Sequence, residues 1–292
     1  MPSKKQYEKY NRTLLNKLSV FLNLEPDYIK GDVVEQVSAE CGVDTQDAYC
    51  YLLANAMYMD LSNNEEDREL FECYFPYMVS ELDASDYESD PYMLEICVDE
   101  MKCDDWEIRS GRYSPYEAFV YDDFEYYADG RVIPQIGYFT REYNYPAVYQ
   151  GGREWMLITP NEINTMKGPI HRSHGKVLTF GLGLGYFAFM SARKDNVESV
   201  TVIERDPGVI RLFEENILPQ MSCADKIRVV CDDAFNYAEN KMAKENFDYV
   251  FADIWHDPSD GVELYKRFKS LEHLMPEAEY DYWIEKTMKY YV

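Results

Sequence analysis

The spacing of apolar positions changes twice along the chain, and each change marks a different kind of element. Leu14, Leu15, Leu18, Phe21 and Leu22 share one helical face that stops near Glu25-Pro26. Asp44-Thr-Gln-Asp47 predicts a second helix through Ala48, Leu52, Leu53 and Met57, with Asp44 or Thr45 as its cap. Met93, Leu94, Ile96, Cys97 and Met101 suggest a third, so residues 1–128 read as a mostly helical region. Over 129–168 the pattern shortens. Val132, Ile133, Ile136 and Tyr138, then Pro146-Ala-Val-Tyr149, predict short strands, and Gln150-Gly-Gly-Arg153 predicts a hairpin turn into a strand over 154–158. Thr159-Pro-Asn-Glu162 predicts a capped helix start, Glu162 standing three residues after the cap, and that helix is expected to end near Gly168.

From 169 to 292 strands and helices alternate. Strands are predicted over 177–180, 199–204, 226–231 and 247–252, with helices from Tyr186, from Asp206-Pro207 and from Ala234 between them. After Asp253 the pattern offers only two helices, over 260–274 and 277–290, and no further strand. The predicted fold class is α/β: a Rossmann-like parallel sheet, shortened at its C-terminal side, preceded by a small β hairpin region and a helical N-terminal region.

The most informative segment is Gly175-Lys-Val-Leu-Thr-Phe-Gly-Leu-Gly-Leu-Gly-Tyr186. It predicts a buried strand, a tight turn with glycine at 181, 183 and 185, and a helix start, where backbone N–H groups can approach a ligand closely. Glu204 ends the next strand, 23 positions after Gly181. A glycine turn followed at that distance by an acid is the pattern of a nucleoside site, the carboxylate taking ribose hydroxyls. Gly183-Leu-Gly185-Tyr-Phe-Ala188 also fits a dinucleotide fingerprint, but with the strand ending at Phe180 the third small position falls on Tyr186. A smaller ligand without a pyrophosphate suits the turn better.

Composition narrows the classes. The net charge is −25, and residues 1–130 carry −20 of it, with 10 Lys and Arg against 30 Asp and Glu. A polyanion repels phosphate backbones and attracts cations, so no nucleic-acid partner is expected and a cationic one is favoured. No apolar run is long enough for a membrane span, and no membrane partner is expected. Seven cysteines without a CxxC pair point to the reducing cytoplasm. His171 and His174 lack companions at metal-ligand spacing, so no metal is expected, and neither a G-x-S-x-G nor a P-loop pattern is present.

Four segments taken in order, Val177-Leu-Thr-Phe-Gly-Leu-Gly-Leu-Gly185, Val202-Ile-Glu204-Arg-Asp206, Cys231-Asp-Asp-Ala-Phe235 and Asp248-Tyr-Val-Phe-Ala-Asp253, resemble the motifs of class I S-adenosylmethionine-dependent methyltransferases. Within that superfamily they are similar to the spermidine synthase branch, which transfers an aminopropyl group from decarboxylated S-adenosylmethionine. The resemblance covers roughly 175–260 and, more faintly, 130–168; it does not reach 1–128. It implies a Rossmann-like cofactor-binding domain over 169–292, with S-adenosylmethionine or its decarboxylated form as cofactor. It also implies that Gly181, Gly183 and Gly185 wrap the methionine-derived portion and that Glu204 holds both ribose hydroxyls. Asp233 would meet the adenine amino group with Ala234 beside it, or Asp232 would exchange roles with it. Asp253 would face the sulfonium end and orient the acceptor, with His256 or Asp257 as general base, and Trp255 would stack on a ligand or plug the sheet's end.

The chain departs from the aminopropyltransferase pattern at four places. Leu184 and its neighbours stand where that branch has an aspartate in the turn. Asp253-Ile-Trp-His-Asp-Pro258 replaces Asp-Ser-Ser-Asp-Pro, Pro160-Asn-Glu162 stands near the position of a Tyr-His-Glu segment, and Arg205 occupies a position that is usually apolar. Three functions stay open: a methyltransferase acting on a small molecule or protein side chain, an aminopropyltransferase acting on a polyamine, and a non-catalytic nucleoside-binding relative.

Overall fold

The computed structural model describes residues 2–98, 100–103 and 105–292. The chain divides into two compact units, one of residues 1–85 with 112–144, the other of 86–111 with 145–292.

In the first unit, helices Lys4–Leu24, Gly31–Cys41, Thr45–Ala56 and Glu65–Met78 precede a three-stranded sheet. Its central strand, Val132–Phe139, pairs in parallel with Val79–Leu82 and antiparallel with Phe119–Tyr126. The first helix buries Leu14, Leu18 and Phe21, the face its spacing predicts, and Asp44 caps the third by accepting from the Asp47 N–H. Tyrosine does much of the packing: Tyr49 and Tyr138 stack with ring centroids 3.8 Å apart. One buried polar knot ties the helices to the sheet. Asn11 donates to the Gly130 carbonyl and accepts from the Tyr74 hydroxyl and the Val132 N–H.

The second unit carries a five-stranded parallel sheet. In chain order its strands are Gly175–Phe180, Val197–Glu204, Ile227–Cys231, Tyr249–Ala252 and Glu279–Tyr282. Across the sheet they lie third, second, first, fourth, fifth. The first and fourth are central; Val177, Leu178, Phe180 and all four residues of Tyr249–Ala252 are buried, as continuous apolar runs covered on both faces require. Strand order reverses between them, and in such sheets ligands gather at the carboxyl ends beside that switch point.

Three expectations change. The stretch after Asp253 holds a strand, Glu279–Tyr282, where a helix over 277–290 was expected; it pairs with the fourth strand and a shorter helix, Glu285–Tyr291, follows. Its alternating acids hide it, and Arg172 explains them by donating to both Asp281 carboxylate oxygens at 2.7 and 2.8 Å. The expected helix through Met101 stops at Glu95, and strands Met101–Cys103, Trp106–Tyr113 and Phe119–Tyr126 occupy what read as helical sequence. The helix expected to end near Gly168 runs from Pro160 to Arg172, through Pro169.

A second sheet orders Met101–Cys103, Trp106–Tyr113, Tyr143–Gln150 and Arg153–Leu157. The predicted Gly151-Gly152 hairpin closes its last pair, both glycines taking positive φ. Among the described residues no helix is long and apolar enough to cross a membrane.

Candidate active site

The glycine turn follows the first parallel strand and leads into a helix of seven residues, Tyr186–Ala192. Gly181, Gly183 and Gly185 have φ of 100°, 50° and 76°, the left-handed region that side chains disfavour. Packing explains two of them without a ligand. A Cβ on Gly181 would fall on the Asp253 carbonyl oxygen, and one on Gly185 on the Phe213 ring. Gly183 is different: the space beside it holds the thioether of Met156 from strand Arg153–Leu157. The Leu184 N–H donates to that sulfur at 3.2 Å. From the other side the buried Tyr92 hydroxyl donates to the Leu184 carbonyl at 2.7 Å, and the Tyr186 hydroxyl donates to Asp90 at 3.0 Å. Leu182 and Leu184 are buried. The turn is thus rigid, apolar and fixed by hydrogen bonds on both faces.

Glu204 comes to this turn from the end of the second strand. One carboxylate oxygen accepts from the Leu182 N–H at 3.3 Å and the other from the Asp206 N–H at 2.8 Å. Burial pushes its carboxyl above the ordinary range, against these backbone hydrogen bonds, which lower it. The Arg205 N–H also bonds this carboxylate, so of its roughly four lone-pair sites about one is left for a hydroxyl. Asp206 caps the next helix and accepts from the Trp106 indole N–H at 3.1 Å. Asp233 and Asp232 separate clearly. Asp232 uses both oxygens on Lys241, Asn236 and the Asp233 N–H. Asp233 caps the helix that starts at Ala234, and both cap bonds fall on one oxygen, Oδ1. Asp233 therefore keeps an oxygen beyond the cap, and Arg205 is exposed beside these strand ends.

Asp253 follows the fourth strand, its N–H donating to the Phe180 carbonyl at 2.9 Å. Its carboxyl faces a second one that sequence reasoning placed only as a helix-start residue: Glu162, whose side chain is buried. Thr159 makes no side-chain cap bond, so Glu162 is not part of a capping box. Its Oε1 is enclosed without a hydrogen-bond partner. Burial, and then the charge of Asp253, push the Glu162 carboxyl well above its ordinary range, and burial pushes Asp253 upward too. Glu162 is buried and Asp253 half-buried, and the charge of each disfavours ionisation of the other.

The loop beyond them is spent differently from expectation. Asp257 caps helix Pro258–Leu271 in a reciprocal arrangement with Asp260. His256 is exposed; its Nδ1 lies 2.9 Å from Asp260 Oδ2 and its ring meets the Trp155 face edge-on. Trp155 in turn meets Trp106 edge-to-face. Trp255 packs into the core with Tyr265, which makes it a plug at the sheet's end. Glu162, Met156, Tyr92 and the two tryptophans had no local signal, because each acts from an element distant in sequence.

Glu204 stands at the turn and Asp233 keeps one carboxylate oxygen beyond its cap, acceptors of the kind an adenosyl group needs, while Met156 narrows the room along Gly183. Residues 158–275 match the family model of the spermine/spermidine synthase domain, a span holding the turn, Glu162, Glu204, Asp233 and Asp253. No curated protein matches the chain. Among solved structures, a protein from Klebsiella pneumoniae described as an O-methyltransferase is similar at 21% identity, over 32% of this chain and 41% of its own, with a TM-score of 0.26. Spermidine synthase from Thermotoga maritima is similar at 19% identity, over 49% of this chain and 57% of its own, with a TM-score of 0.29. The chain spans less than two thirds of either protein. Over 158–275 the chain therefore carries a stretch matching the spermine/spermidine synthase domain, and that stretch holds the first four strands of the five-stranded parallel sheet.

Proposed function

We propose that this chain transfers an aminopropyl group from decarboxylated S-adenosylmethionine to a polyamine. The observation that carries this reading is the enclosed pair Glu162 and Asp253 at the carboxyl ends of the central strands. Two neighbouring carboxyls whose ionisation is held back by burial and by each other suit an ammonium ion better than a neutral acceptor. The match over 158–275 supports the same branch.

The bound donor would supply a sulfonium, whose attached carbon is already activated and whose sulfur leaves as a neutral thioether. The chain's own tasks are holding, orienting and proton removal. Glu204 would accept from the ribose hydroxyls, and Asp233 Oδ2 would accept from the adenine amino group. An acceptor amine attacks only after losing its proton, and the Glu162–Asp253 pair is placed to take it. The amine lone pair then forms the new C–N bond as the C–S bond breaks, its electrons staying on sulfur. A carboxyl pair with raised proton affinity suits that task near neutral pH. We assign the task to the pair because Asp257 is occupied as a cap and His256 is fixed on Asp260 at the rim.

The absence of an acid inside the turn favours a second reading, methyl transfer from S-adenosylmethionine itself to a small molecule or protein side chain. Incubation with each donor and a panel of diamines and triamines separates the two. Release of 5′-methylthioadenosine with an extended polyamine is the expected result. Release of S-adenosylhomocysteine alone would establish the second reading, and adenosyl binding without turnover would leave a non-catalytic relative.

A further inference from the structure

We infer that Met156 is a donor-selecting residue that disfavours donors bearing a carboxylate; this rests on the adenosyl-donor reading above. The residue sits on Arg153–Leu157, opposite Val148 of the neighbouring strand. Its neighbour Trp155 is held between the Trp106 and His256 rings, which fixes the strand's position beside the turn. From there the thioether lies against Gly183, where any Cβ would collide with it, and takes the Leu184 N–H. Backbone N–H groups in a glycine-lined turn are natural partners for a carboxylate. Here that donor is occupied by a weak sulfur acceptor.

The consequence differs between the two donors. S-adenosylmethionine brings a carboxylate, which can take the Leu184 N–H only by pushing Met156 aside. The decarboxylated donor ends in an ammonium, which has only donors and gains nothing from an N–H. Met156 therefore costs the first donor a charge-assisted hydrogen bond and leaves the second nearly untouched. Its three rotatable bonds let the side chain adjust around an alkyl chain that makes no demand on the turn.

The test compares S-adenosylhomocysteine, which keeps the carboxylate, with its decarboxylated form, which keeps the same alkyl chain and ammonium, by titration calorimetry on the full chain, with 5′-methylthioadenosine as the adenosyl control. Met156→Ala is expected to strengthen S-adenosylhomocysteine binding by about tenfold or more and to change binding of the decarboxylated form by less than about threefold. Met156→Val, shorter and well suited to a strand, gives the same comparison should the alanine variant fold poorly. A parallel gain for both ligands would make Met156 a general plug and overturn the inference, as would no change for either. Failure of 5′-methylthioadenosine to bind wild type and variants alike would instead overturn the adenosyl reading beneath it.

Discussion

Single side chains decide this site, and the decisive ones differ in how openly the sequence shows them. Glu204 was legible because two local facts, a buried run and a terminal acid, place it at a strand end. The structure then brings it within hydrogen-bond distance of the turn. Glu204→Ala removes the carboxylate that accepts from the turn's Leu182 N–H, and adenosyl affinity is expected to fall by roughly 10- to 100-fold, the value of a charge-assisted pair. Unchanged 5′-methylthioadenosine affinity by calorimetry would remove Glu204 from the site. Glu162 was not legible, since a Glu three residues after a Thr-Pro start looks like ordinary helix capping. Its burial beside Asp253 makes a second prediction. Both carboxyls bind protons more tightly in the folded chain than in the unfolded one, whose values sit near 4.5 and 3.8. Their contribution to stability is fully present below that range and is lost as pH rises toward and past neutrality. Urea midpoints should thus fall between pH 5 and 8 in the wild type, and the slope should flatten in Glu162→Gln. Equal slopes in the two proteins would mean the acids are not enclosed together.

At the level of elements, what was readable followed the strength of the local period. The parallel strands up to Tyr249–Ala252 are rich in apolar residues and end beside glycine or acid, and each starts within two residues of where the pattern put it. The strands that escaped are polar and irregular. Phe119–Tyr126 carries two adjacent aspartates and its pairing slips twice, between Val120 and Asp122 and again before Glu125, which breaks the alternation a strand is recognised by. Glu279–Tyr282 is a four-residue edge whose acids make sense only beside Arg172. Long-range polar ties of this kind hold elements in place. Asn11 is the clearest, because its amide joins helix Lys4–Leu24 to Gly130 and Val132 and also accepts from Tyr74. Asn11→Ala leaves buried partners unpaired and should cost about 2 kcal/mol of unfolding free energy. Chemical denaturation gives that number directly, and a loss below about 0.5 kcal/mol would show that these groups find other partners.

Over the whole molecule the dominant quantity is charge. A net −25, most of it in the first 130 residues, makes the chain repel itself and gather cations around its surface. Neither effect depends on one residue, and both are screened by salt over a distance of about 10 Å at 0.1 M. Raising ionic strength from about 0.01 to 0.15 M should therefore raise the melting temperature, because the folded chain concentrates like charges that the unfolded chain spreads apart. The same salt should weaken capture of a cationic acceptor. If a polyamine is the acceptor, its KM should rise with ionic strength while kcat changes little, since a bound acceptor would meet Glu162 and Asp253 at contact range, where salt screens little. A neutral acceptor would show no such rise. The salt dependence of KM thus separates an acceptor drawn by the field of the entire chain from one held by contacts alone, and a flat profile with a polyamine would break the link between this chain's acidity and its chemistry.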